Sequence, residues 1–184
     1  MQVIAPGIHL YTFDKAKECL ELVDKPELYK KGFVDYGRGN KRPSRVTSIL
    51  NPVMLGSSSP DISQALEVFD KDLLHIVDLY RQEFFLEELV KETGWLLMKY
   101  DVGDYFDLHK DEDPHYDRTV SLVAYLNDGY TGGEIEFPDF GVSVAPKAGD
   151  VLVFPGSFAY RHLVKPVTSG TRYCVVNWFR FLNR

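Results

Sequence analysis

From Trp95 to Arg184 the chain is broken by turn signals so often that no long helix fits, and this limits the fold more than any other feature. Apolar runs at 96–100, 105–109, 119–126, 134–137, 142–145, 151–154, 160–164 and 173–181 predict eight short strands. Gly103-Asp104, Asp128-Gly129, Gly132-Gly133, Gly149-Asp150, Pro155-Gly156 and Ser169-Gly170 lie between them. Eight strands at such spacing suggest a sandwich or jelly roll. An aromatic content of 14% agrees, because such side chains pack on pleated faces.

The first half reads differently. A strand is expected over 7–13. A helix is expected over 14–23, with Ala16, Cys19, Leu20 and Val23 on one face behind a Thr12 or Asp14 cap. From Tyr36 to Pro60 the residues turn to Gly, Ser, Pro and Arg38, Lys41, Arg42 and Arg45. That segment reads as a long loop, equally a lid or a solvated surface. A longer helix then follows a Ser59 or Asp61 cap, with Leu66, Phe69, Leu73, Ile76, Val77, Tyr80 and Phe84 as its stripe and Gly94 as the stop. At 184 residues one domain is expected: 1–94 as strand and helical support, 95–184 as the core carrying the site.

A net charge of −6 argues against a nucleic-acid partner. No segment has membrane-spanning length, and Met1 to Leu10 is not leader-like. Two cysteines, Cys19 and Cys174, make no disulfide framework, so the expected location is cytoplasmic.

The chemistry starts at His109-Lys110-Asp111. Alternation along a strand points His109 and Asp111 to one face and Lys110 to the other. Alone, such a pair matches by accident. His162 follows Asp111 by 51 residues. Two neutral imidazoles and one carboxylate make the facial set of non-haem iron(II) oxygenases, which leaves positions open for a chelating 2-oxo acid and dioxygen. Arg172 comes ten residues after His162, across a Pro166–Gly170 turn. A hairpin there would return it antiparallel beside the histidine strand, where its planar fork suits a carboxylate. Arg172, Cys174, Val176 and Trp178 share one face by parity, as do Ser121, Val123 and Tyr125. His115 reads as a loop residue, His75 as surface, His9 as a strand residue without a partner, and Cys174 as a small hydrophobe.

Several stretches, in order, resemble the prolyl 4-hydroxylase-type iron(II)/2-oxoglutarate-dependent dioxygenases: Tyr100 to Asp111, Arg118 to Asn127, Gly132 to Pro138, Pro146 to Phe154, and His162 through Gly170 and Arg172 to Trp178. The likeness covers about residues 95–181. It implies a mainly β fold, a double-stranded β-helix (jelly roll) backed by N-terminal helices. It implies Fe(II) on His109, Asp111 and His162, with 2-oxoglutarate and dioxygen as co-substrates and ascorbate as an optional addition. Arg172, Tyr125 and Tyr100 would line the co-substrate pocket, with Trp178 packed near the iron. The implied reaction hydroxylates a C–H bond and releases succinate and carbon dioxide. A peptide or protein containing proline is the expected substrate. The alternatives are the same chemistry on a free amino acid or other small molecule, or a non-oxidative cupin-like isomerase or binding module. Asp111 stands where a cupin would carry a second histidine. Collagen-type members commonly place lysine where Arg172 stands.

Overall fold

Strand β8 contains Val120, Ser121, Leu122, Val123, Ala124 and Tyr125, all buried, so both of its faces must be covered. The computed structural model, which describes residues 1–34, 45–52, 59–112 and 117–183, shows how. The first strands are β1 (Gln2–Ala5) and β2 (Ile8–Thr12), followed by α1 (Ala16–Val23), β3 (Lys30–Val34) and β4 (Arg45–Leu50). Helix α2 (Pro60–Val68) passes through a π-helical segment (Phe69–Leu73) into α3 (Leu74–Glu83). Then come β5 (Leu89–Lys91), β6 (Leu96–Tyr100), β7 (Tyr105–His109), β8 (Val120–Tyr125), β9 (Thr131–Gly132) and β10 (Ile135–Phe137). The last are β11 (Val142–Val144), β12 (Asp150–Pro155), β13 (His162–Val164), β14 (Val167–Ser169) and β15 (Arg172–Phe181).

The main sheet runs β1-β2-β12-β8-β15-β6-β4-β7-β13-β10-β11, and each neighbouring pair along it is antiparallel. Parity along its central strands divides the core in two. Leu122 and Ala124 of β8, Val151 and Val153 of β12, and Tyr173, Val175 and Phe179 of β15 pack with the helices. Val123, Tyr125, Leu152, Phe154, Cys174 and Val176 turn the other way and meet Phe106, Ile135, Phe137 and Val164 from β7, β10 and β13. The sheet therefore curls over itself, with β7, β13 and β10 facing β12, β8 and β15. Helices cover the outside of the second group, giving the mainly β jelly-roll layering expected.

Three local expectations change. Residues 45–50 are not loop: β4 pairs with β3, β6 and β7 and lies between the latter two. Thr47 is fully buried there and donates its hydroxyl to the Lys99 carbonyl at 3.0 Å. Of the expected lid, 36–44 and 53–58 lie outside the described residues. The long helix stops at Glu83 rather than near Gly94, because Phe85 turns left-handed (φ 53°) and the chain then pairs as β5 with the end of β15. Lys15, not Thr12 or Asp14, stands at the N-cap of α1, and Ser59 at that of α2 makes no side-chain cap hydrogen bond; Pro60, whose missing N–H costs nothing at a helix start, opens α2.

The π-helical segment carries Phe69 and Leu73, both fully buried, onto the sheet. Phe69 lies 6.3 Å from the Phe13 ring and 5.9 Å from the Trp95 ring. Phe69→Ala should destabilise the protein by about 3–5 kcal/mol through the cavity it leaves. Urea unfolding checks this, and a loss under about 1 kcal/mol would show that the helical layer contributes little.

Candidate active site

His109 closes β7 and His162 opens β13, and the two are directly paired across the strands. Their rings therefore lie side by side, with centroids 4.2 Å apart. Each Nδ1 sits against a backbone carbonyl two residues back, that of Asp107 at 2.8 Å and that of Tyr160 at 3.2 Å. A carbonyl only accepts, so Nδ1 carries the hydrogen and Nε2 keeps its lone pair. Phe106 stacks on His109 at 3.5 Å, and Phe154 stands edge-on to His162 at 4.8 Å, fixing both rings.

Asp111 faces the two Nε2 atoms, with Oδ1 3.6 Å from that of His109 and Oδ2 3.8 Å from that of His162. One ligand atom from each residue lies within 4.8 Å of the others. All three side chains are buried. Burial acts to raise the Asp111 carboxyl, but His162, His109 and the Ser121 hydroxyl outweigh it and hold it below the usual carboxylate range. Burial, with His109 alongside, lowers His162 to about 4 despite the pull of Asp111. The set is thus two imidazoles, each with Nδ1 turned to a carbonyl, and one anionic carboxylate. Donors of that kind suit a divalent transition metal with coordination positions left open.

Opposite this cluster lies Arg172, only 1% exposed. Its guanidinium rests on two phenol rings, 4.5 Å from the Tyr100 centroid and 4.9 Å from that of Tyr125. Nε and Nη1 have no hydrogen-bond partner, and neither has the Tyr125 hydroxyl. No acidic side chain among the described residues pairs with this cation. Burial, opposed by Arg172, pushes the Tyr125 phenol up, so it remains a neutral donor. The cation and the triad line one pocket, and the Tyr125 ring lies against the cation. Trp178 forms part of its wall, with the Arg118 guanidinium 3.8 Å over its ring.

The structure brings together His109, Asp111, His162, Arg172, Tyr125, Tyr100 and Trp178, but by a different route in one respect. Arg172 does not return beside His162. β13 pairs with β7 and β10, whereas β15 pairs with β6, β8 and β5. Between them β14 pairs with β9, and the chain crosses to the facing sheet. Arg172 then reaches the site across the interior, opposite Tyr100 in register. That crossing requires Gly132, where a Cβ would come within 2.2 Å of the Pro166 carbonyl oxygen and where φ is +73°.

Sequence reasoning missed two neighbours. Ser121 donates to Asp111 Oδ2 at 2.6 Å, and only its place on the inward face of β8 hinted at this. Tyr130, half-buried, has its phenol raised by burial against the pull of Arg172; it lies in a glycine-rich turn with no strand periodicity to mark it. His75 is exposed, as expected. His9, expected to stand alone, is buried with Nδ1 3.2 Å from Glu83. His115 lies outside the described residues. Burial raises the Cys174 thiol against the pull of Arg172, so it is no activated nucleophile.

The family model of the 2OG-Fe(II) oxygenase superfamily matches residues 95–180. A PKHD-type hydroxylase of Cupriavidus metallidurans is 38% identical over 120 residues, covering 58% of this chain and 52% of the relative. The chain thus spans about half the length of that relative. A prolyl hydroxylase of Trichoplax adhaerens, solved with a hypoxia inducible factor peptide fragment, superposes with a TM-score of 0.76 at 17% identity, covering 95% of this chain and 83% of that one. The viral collagen prolyl hydroxylase of Paramecium Bursaria Chlorella virus-1, solved as its 2OG complex, gives 0.68 at 20% identity over 96% and 97%. Those two likenesses carry the double-stranded β-helix fold, and the matched sequence carries the lineage. Residues 95–180 thus carry the sequence of the 2OG-Fe(II) oxygenase superfamily.

Proposed function

We propose that the protein hydroxylates a peptidyl proline, with iron(II) held by His109, Asp111 and His162 and 2-oxoglutarate anchored by Arg172 and Tyr125. One observation carries the reading: a buried guanidinium, with Nε and Nη1 unpartnered and no acidic side chain among the described residues beside it, lines the same cavity as a set of metal donors, and the Tyr125 ring lies against it. A buried unpaired charge costs several kcal/mol, roughly, unless something compensates it. A dianion that chelates a metal at one end and meets Arg172 at the other supplies that compensation. The donor set leaves one net positive charge on a divalent ion, which also favours an anionic co-substrate.

Iron held by His109, Asp111 and His162 would supply, with 2-oxoglutarate and dioxygen, the oxidising chemistry for placing one oxygen atom in a C–H bond, with succinate and carbon dioxide as co-products. The chain's own part is positioning and exclusion of water. Phe106, Phe137 and Phe154 hold the imidazoles in an apolar shell. The Tyr100 and Tyr125 rings both pack against the guanidinium, which lines the cavity. Trp178, steadied by Arg118, shapes the wall on the metal side.

A peptide substrate is supported by likeness to prolyl hydroxylases, one of them solved with a peptide fragment. The test is mass spectrometry of proline-containing peptides incubated with the protein, iron(II), ascorbate and 2-oxoglutarate. The expected result is a gain of one oxygen on proline, matched by succinate. Oxygen transfer to free amino acids but to no peptide would move the protein to the small-molecule reading. Binding of 2-oxoglutarate without any turnover would leave only a binding module.

A further inference from the structure

His109 is fixed by strand pairing, but Asp111 lies beyond the end of β7, in a bend. It is nevertheless 8% exposed and aimed at both imidazoles, so something other than the sheet must aim it. Two contacts do. The Glu112 N–H donates to the Gly156 carbonyl at 2.8 Å, tying down the next peptide. The Ser121 hydroxyl, 1% exposed, donates to Oδ2 at 2.6 Å. An ionised carboxylate only accepts, so the direction of that bond is settled. Oδ1 faces His109 Nε2 at 3.6 Å, beyond hydrogen-bond length.

The approach is built into the packing. Ser121 stands opposite Phe154 in β12 and Trp178 in β15. A Cβ on Gly156 would lie 2.3 Å from the Arg118 carbonyl oxygen and 3.3 Å from the Ser121 hydroxyl, so only a bare residue lets the end of β12 close over this corner. The inward face of β8 thus places a hydroxyl at the Asp111 end and another, that of Tyr125, beside Arg172, with Val123 between them.

We infer that Ser121 is a positioning residue that makes Asp111 a one-oxygen ligand. A carboxylate can bind a metal through one oxygen or both. By engaging Oδ2, the serine reserves Oδ1 for the iron and keeps open the position that a two-point 2-oxo acid and dioxygen together require. The inference rests on the iron-site reading above. The hydroxyl contributes no ligand itself and acts only through Asp111.

The test uses the full chain with cobalt(II) as an air-stable probe, comparing wild type, Ser121→Ala and Ser121→Thr. Calorimetry gives affinity, the cobalt ligand-field spectrum reports coordination, and circular dichroism of the apo proteins checks folding. Loss of a partner bonded to a metal ligand commonly lowers affinity about 10–100-fold. Ser121→Ala should show such a fall, an altered cobalt spectrum, and a diminished spectral response to 2-oxoglutarate. Ser121→Thr keeps the hydroxyl and should restore the wild-type spectrum. An alanine variant with the wild-type spectrum overturns the inference whatever its affinity. If wild type binds no cobalt at all, the metal-site reading falls, and this one with it.

Discussion

Replacing Arg172 with methionine is expected to leave the apo protein at least as stable as wild type while removing nearly all affinity for 2-oxoglutarate. The guanidinium has no anionic partner among the described residues and is 1% exposed. Burying such a charge costs several kcal/mol, roughly, after relaxation. The Tyr100 and Tyr125 rings recover about 0.5–2 kcal/mol each as cation–π contacts. The burial penalty is the larger, and methionine fills similar space without it. Stabilisation should raise Tm by roughly 2–4 °C per kcal/mol at this chain length. The binding side runs the other way. Two charge-assisted hydrogen bonds to a carboxylate contribute about 1.5–3 kcal/mol each, so their loss weakens binding by roughly two to four orders of magnitude. Melting curves of both proteins, with and without 2-oxoglutarate, separate the two effects. Wild-type affinity in the methionine variant would remove Arg172 from the anchor role.

His162→Ala should abolish metal-dependent stabilisation and succinate formation together. A ligand present at 100 times its Kd stabilises the native state by about 2.7 kcal/mol, so iron(II) or cobalt(II) should measurably raise the wild-type melting temperature. The variant keeps one imidazole and one carboxylate. Loss of a ligand should cost more than the roughly 10–100-fold seen when a partner of a ligand is removed. Its apo form should fold, because the lost ring leaves a space beside Phe137 and Phe154 in a region already open to the pocket. Retained turnover, or an undiminished metal-induced rise in Tm, would take His162 out of the ligand set.

The site was more legible in the sequence than the path that builds it. Side-chain parity put Arg172, Cys174, Val176 and Trp178 on one face, and all four line the pocket. The turn residues marked the strands after Trp95 to within a few positions. Parity is local, however, and partner choice is not. Nothing near Pro166–Gly170 signals that the chain changes sheets, because β14 finds its partner at Thr131–Gly132, far away in sequence. β4 was hidden for a similar reason. Its Arg-Val-Thr-Ser-Ile-Leu run follows basic and glycine-rich residues, and its pairing with β6 and β7 is long-range. Ser121 reads as an ordinary small residue on a strand until Asp111 is brought against it from the facing layer.

The wedge formed by β4 bears on how this protein can be divided. Every proposed ligand lies after position 94, so a shortened version starting there would keep the whole reactive constellation. It would also lose the slat between β6 and β7, leaving two raw borders where the barrel wall is now continuous, and would bare the greasy back of β8, β12 and β15. The half that carries none of the proposed ligands is the stave and the hoop of the half that carries them all.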